Sequence, residues 1–115
     1  MKNIAAIIPT YNPQQSFVTF VHQLLATSIS QVIIVNDGSD QKYTSIFEEL
    51  KKIDSCKVLQ HEHNIGKGGA LKTAFSYVWS KRVKFHGVLT VGAHGQHTLQ
   101  DIKLVLNMTK VFSEG

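Results

Sequence analysis

Four short apolar runs punctuate the chain, and each is followed by a polar, turn-forming cluster. Ile4–Ile8 is almost continuously apolar, the pattern of a strand covered on both faces. Gln31–Val35 is rich in β-branched residues, and Cys56–His61 and Gly87–Val91 complete a set of four predicted strands. Between the runs the spacing changes to a helical one. Phe17, Phe20, Val21, Leu24 and Leu25 recur at helical intervals, and Asn12-Pro13 resembles an N-cap followed by proline at the first helical position, so a helix is predicted from about Pro13 to Ala26. Ile46, Phe47, Leu50 and Ile53 mark a second amphipathic helix whose wet face carries Glu48, Glu49, Lys51 and Lys52. Gly66–Gly69 opens a third, with Leu71, Ala74, Phe75 and Val78 as its buried stripe and Trp79 closing its end. Thr98 and Asp101 resemble a capping box made with Asp, and Leu99, Ile102, Val105, Leu106 and Met108 give a fourth helix its apolar side.

Strands that alternate with helices pair in parallel through right-handed crossovers, so the expected fold class is α/β: an open parallel sheet with helices on both faces. Ligands of such sheets bind beyond the carboxyl ends of the strands, where the strand order reverses. The polar clusters fall at those ends. They are Pro9-Thr10-Tyr11-Asn12, the turn around Asp37, the glycine-rich run Asn64–Gly69, and Gly92-Ala93-His94-Gly95-Gln96-His97. If the fourth strand lies beside the first while the second and third extend the other way, Pro9–Asn12 and Gly92–His97 line one crevice.

A length of 115 residues falls within the roughly 100–200 residues of one domain. With 43% apolar and 17% charged residues the chain is too apolar to be disordered. No stretch approaches the ~20 apolar residues that span a bilayer, and Met1-Lys2-Asn3-Ile4 lacks the apolar region of a signal peptide, which predicts a cytoplasmic protein. A single cysteine, Cys56, excludes an intrachain disulfide and reads as a small inert strand residue. The net charge of +4 gathers modestly at Lys67, Lys72, Lys81, Arg82 and Lys84. That suits an anionic small ligand or an anionic membrane surface, and equally a solvated helix face; no nucleic-acid-binding module is recognisable.

A carboxylate on a glycine-containing turn, as at Asp37, can accept from a ribose hydroxyl or a pyrimidine N–H; it can equally be the anchor of an Asx-turn. Gly66-Lys67-Gly68-Gly69 offers backbone amides at a helix start together with an ammonium, an anion site on physical grounds, although close helix packing explains the same glycines. It is not a Walker A loop, because His61 stands at the earlier glycine position and no Ser or Thr follows Lys67. Nor is it a G-x-G-x-x-G, since Leu71 occupies the third glycine. His61 with His63 and His94 with His97 suggest metal pairs, yet neither has the partners of a structural zinc site. No Ser or Cys sits in a nucleophile elbow, so hydrolase chemistry has no support.

Taken together, Ile8–Asn12, Val35–Ser39, Asn64–Lys72 and Gly95-Gln96-His97 resemble the family 2 glycosyltransferases of the GT-A fold, in particular the polyprenyl-phosphate (dolichol-phosphate-like) sugar transferases. The resemblance runs from about Ile4 to Ile102, with four motifs in order. It implies that Pro9, Thr10, Tyr11, Asn12 and Asp37 hold the nucleotide of a nucleoside diphosphate sugar, that Lys67 lies near it, and that Ala93 and His94 belong to the same site. It also implies a polyprenyl phosphate or glycan acceptor, or a membrane surface to which the protein is peripheral.

The fourth motif of that family normally reads Asp-Ala-Asp-Gly-Gln-His, and its carboxylates bring Mg²⁺ or Mn²⁺ to the diphosphate. Here Gly92 and His94 replace both acidic residues, which removes the hard-oxygen ligands such cations prefer and implies weak or absent transferase activity. The family's catalytic domain also continues into acceptor-binding strands. Residues 1–115 therefore look like the N-terminal, nucleotide-sugar-binding part of a truncated GT-A domain. A fourth strand left at an exposed edge would pair with another copy or aggregate. The alternative to an enzyme is a non-catalytic nucleotide-binding or interaction module.

Overall fold

A computed structural model of the chain describes residues 3–92. Four strands, β1 (Ile4–Thr10), β2 (Gln31–Asp37), β3 (Cys56–His61) and β4 (Gly87–Thr90), alternate with three helices, α1 (Ser16–Leu25), α2 (Thr44–Lys51) and α3 (Lys67–Ser80). All strands pair in parallel, in the order β3-β2-β1-β4. The order reverses at β1, which places the switch point between β1 and β4 as the sequence led one to expect.

Strict alternation along the strands divides the core in two. Ile4, Ala6, Ile8, Val32 and Ile34 face α1 and α2, meeting Phe17, Val21, Leu24, Ile46, Phe47 and Leu50. Ala5, Ile7, Ile33 and Val35 face the other way, against Ala70, Ala74 and Val78 of α3. Because both faces of β1 and β2 are covered, these strands read as unbroken apolar runs. The buried stripe of α3 is Ala70, Ala74 and Val78; the expected Leu71 and Phe75 are half-buried at its flank, since small side chains let the helix approach β1 closely.

The first helix departs from the expected start. It begins at Ser16, not Pro13, and the residue before it, Gln15, makes no side-chain cap. Asn12 has a left-handed backbone, φ 49°, and its side chain is committed elsewhere: its Oδ1 accepts from the Asp40 amide at 2.9 Å. A residue so used cannot also cap a helix. The strands β1 and β2 run two residues further than expected, to Thr10 and Asp37. Trp79 does lie at the end of α3, with the Arg82 guanidinium 4.8 Å from its ring centre. The predicted helix after Thr98 lies outside the described residues.

β1 pairs with β2 as far as Thr10↔Asn36, but its pairing with β4 stops at Ile7↔Thr90. Ile7 turns its carbonyl to the β4 side, accepting from the Val91 amide at 3.0 Å. By the two-residue period Pro9 turns the same way, past the last described β4 pairing, where its missing N–H interrupts no ladder. The sheet thus opens at the carboxyl end of β1.

Candidate nucleotide site at the carboxyl ends of the strands

A cleft of about 290 Å³ occupies this opening, and it gathers Pro9 and Thr10 from β1, Tyr11 and Asn12 from the loop after it, Asp37 from β2, Asn64 and Gly66 from the β3–α3 loop, and Lys67 from the start of α3. Its volume lies near the lower end of the ~300–1,000 Å³ usual for small-molecule sites. Three of the four clusters singled out in the sequence therefore meet at one place, and Gly92 from the fourth also lines it. Ala93 and His94, expected here, lie outside the described residues.

The loops around the cleft are laced together by polar side chains. The Asn12 amide donates to Ser39 Oγ at 2.9 Å, while Asn12 Oδ1 accepts from the Asp40 amide. Ser39 in turn donates its amide to Asn36 Oδ1 at 3.0 Å. This reciprocal exchange fixes the β1 loop against the β2 loop. Thr10 lines the cleft but is buried, and its hydroxyl donates to the Ile8 carbonyl at 3.0 Å. Tyr11 is 55% exposed, so its ring is a large flat surface held at the rim by a fixed backbone.

Asp37 is the centre of a second network. Its Oδ1 accepts from the Ile65 amide at 3.0 Å and from His61 Nδ1 at 2.8 Å; its Oδ2 accepts from the Gly66 amide at 2.9 Å and from Asn64 Nδ2 at 3.2 Å. A carboxylate has about four lone-pair positions, and four donors fill them. Burial alone would raise the Asp37 carboxyl. The hydrogen bonds from His61 and from the Ile65 and Gly66 amides, with the attraction of the His61 ring, outweigh it and hold the carboxyl below its ordinary value. Asp37 is thus an ionised, acceptor-only group that binds the β3–α3 loop to the end of β2.

Close approach of the two loops requires glycine at Gly38, where φ is +70° and a Cβ would fall on the backbone of His63 and Asn64. Gly66, φ +97°, turns the chain into α3. Helix geometry leaves the first-turn amides of Lys67, Gly68 and Gly69 without intrahelical acceptors, and the exposed Lys67 side chain stands beside them at the cleft. Amides, helix dipole and ammonium together make this end of α3 attractive to an anion such as a phosphate.

The histidine reading changes. His61 and His63 do not act as a pair: His61 uses both ring nitrogens within the fold, Nδ1 on Asp37 and Nε2 on Thr73 Oγ1 at 2.8 Å, and His63 is exposed. The missed signal was the strand register, which places His61 opposite Asp37 on the last rung between β2 and β3. Among the described residues no three His, Cys, Asp or Glu side chains gather closely enough to hold a metal ion. Gly92, where the related motif carries an acid, lines the cleft without a side chain, and His94, the second acidic position of that motif, lies outside the described residues. Cys56 is half-buried, and burial pushes its thiol up to about 12, in keeping with an inert strand residue. No helix among the described residues is long and apolar enough to cross a membrane.

Comparison with known proteins adds an independent line. The family model described as Glycosyl transferase family 2 matches residues 5–110. A UDP-N-acetylglucosamine–dolichyl-phosphate N-acetylglucosaminyltransferase of Methanococcus voltae is 30% identical, over 91% of this chain and 46% of its own length. An uncharacterized protein of Methanocaldococcus jannaschii is 27% identical, over 90% of this chain and 40% of its own. The chain therefore spans less than half the length of these curated relatives. Among solved structures, S. aureus TarS superimposes with a TM-score of 0.62 at 25% identity, over 90% of this chain and 19% of that one. TarS residues 1–349 in complex with UDP-GlcNAc gives 0.62 at 26% identity, over 90% and 30%.

Proposed function

This chain belongs to glycosyl transferase family 2, and from that premise we propose that its cleft binds a nucleoside diphosphate sugar for transfer to a lipid phosphate or glycan acceptor. The observation that carries the reading is the convergence of Pro9–Asn12, Asp37 and Lys67, from three separate segments, on one cleft at the switch point of the sheet. The Tyr11 ring offers a stacking surface for the base, and Asn12 and Thr10 present backbone groups beside it. Lys67 and the first turn of α3 receive the diphosphate. Ala93 and His94 complete the proposed set. A relative that acts on dolichyl phosphate and a fold neighbour bound to UDP-GlcNAc support UDP-GlcNAc as the first donor, and a polyprenyl phosphate as the first acceptor, to try.

In the sequence Gly92 and His94 stand where the family carries its two metal-binding carboxylates, which favours a second reading, in which the chain binds the nucleotide without transferring the sugar. The two separate in one assay: the purified chain with radiolabelled UDP-GlcNAc, a polyprenyl phosphate in detergent, and Mn²⁺. Labelled lipid establishes transfer. UDP-GlcNAc bound but unreacted establishes the binding module, and a folded sample that does neither contradicts both.

Peripheral attachment to an anionic membrane, through the basic residues from Lys67 to Lys84, and a cytoplasmic location are part of the same proposal; flotation with phosphatidylglycerol vesicles tests the attachment. β4 is an outer strand of the described sheet. Self-association through that edge is proposed with it and is read by analytical ultracentrifugation.

A further inference from the structure

Of the four donors on Asp37 among the described residues, Asn64, Ile65 and Gly66 belong to the loop that the carboxylate holds. His61 does not. It is the last residue of β3, its side chain is 13% exposed, and its far nitrogen is fixed to Thr73 in the middle of α3. A carboxylate turns readily about its terminal torsion. The Ile65 amide holds Oδ1 and the Gly66 amide holds Oδ2, and His61 is the one of the four donors that fixes this plane from outside the loop.

We propose that His61 is a positioning residue, which orients Asp37 so that the Asn64–Gly66 loop, and with it Lys67, is presented to the cleft. The role in ligand binding rests on the nucleotide reading above; the role in setting the loop does not. Asp37 can only accept, so Nδ1 of His61 carries the proton and donates to it. Thr73 then braces the ring from behind through Nε2. The chain β2–Asp37–His61–Thr73–α3 ties the two ends of the loop to the sheet and to the helix the loop introduces. Because Gly66 is the residue before α3, any turn of the Asp37 carboxylate shifts the helix start at which Lys67 sits.

Two near-isosteric substitutions separate a directed donor from mere filling of space. His61→Asn keeps an N–H near the Nδ1 position and gives up the reach to Thr73; His61→Gln keeps that reach and gives up the donor to Asp37. The readouts are the ¹H–¹⁵N resonances of Ile65 and Gly66, shifted downfield by charge-assisted bonding, and calorimetric binding of UDP. The expected result is that His61→Asn keeps both amide resonances and UDP affinity near wild type, while His61→Gln moves both amides upfield and weakens UDP about tenfold. Retention in both variants, or equal loss in both, overturns the proposal. If wild type binds no UDP, the nucleotide reading fails, and the amide pattern still decides whether His61 sets the loop. Should neither variant fold, the long-range ¹H–¹⁵N spectrum of the wild-type His61 ring decides: a proton on Nδ1 supports the proposal, and a proton on Nε2 with Nδ1 bare contradicts it.

Discussion

The Gly66 amide donates to Asp37 Oδ2 at 2.9 Å, tying the residue that introduces α3 to the last residue of β2. Two motifs separated by 29 positions in the sequence thereby act as one structural unit. Whatever the cleft binds, the placement of Lys67 depends on the charge state of Asp37.

Replacing Asp37 by Asn tests that dependence through pH. The folded carboxyl lies below its ordinary value of 3.8, so its contribution to stability is fully present above that value and is lost as pH falls through the lower, folded one. Asp37→Asn should cost about 2–3 kcal/mol near neutrality, as charged hydrogen bonds are lost. The gap between wild type and variant, followed by urea denaturation, should narrow as pH drops below about 4. A gap that stays constant down to acid pH contradicts the assignment.

The two positive-φ glycines among the described residues should respond differently to alanine. At Gly38 a methyl group meets the His63–Asn64 backbone as well as an unfavourable φ, so Gly38→Ala should cost more than about 3 kcal/mol or prevent folding. At Gly66 nothing lies within 4 Å of the added carbon, and only the backbone conformation resists. Gly66→Ala should cost about 1–3 kcal/mol and leave a folded protein, as thermal melts would show.

Asn12→Ala removes the acceptor for the Asp40 amide and places a less tolerant residue at φ 49°. The expected loss is about 1–2 kcal/mol. Asn12→Gly relieves the backbone part alone and should fall between the alanine variant and wild type in chemical denaturation. Equal behaviour of the two variants would show that the side-chain bond to Asp40 contributes all of the effect.

Most of the fold was legible because β1 and β2 are covered on both faces, which leaves continuous apolar runs in the sequence, and because the helices between the strands keep a 3.6-residue stripe. The errors fall where long-range hydrogen bonds take over. Asn12-Pro13 looks like a helix start until Asp40 claims the Asn12 side chain. Asp37 stood out in the sequence by its glycine-containing turn, but its four acceptor positions are filled by groups 24 to 29 residues away, which no local pattern reveals. His61 was grouped with His63 by proximity in sequence, although strand register pairs it with Asp37. In α3 Ala74 and Val78 are buried as expected, but Ala70 takes the place of Leu71 and Phe75, because hydrophobicity counts favour large residues whereas close packing on β1 selects small ones.

The central claim is that the cleft at the carboxyl end of β1 binds a nucleotide, and titration calorimetry of the chain with UDP tests it most directly. The account predicts saturable one-to-one binding without added metal, weakened about tenfold or more in both Tyr11→Ala and Lys67→Ala, since the first removes the stacking surface and the second the cation. No heat of binding to a folded wild-type sample, or binding that neither substitution changes, would contradict it.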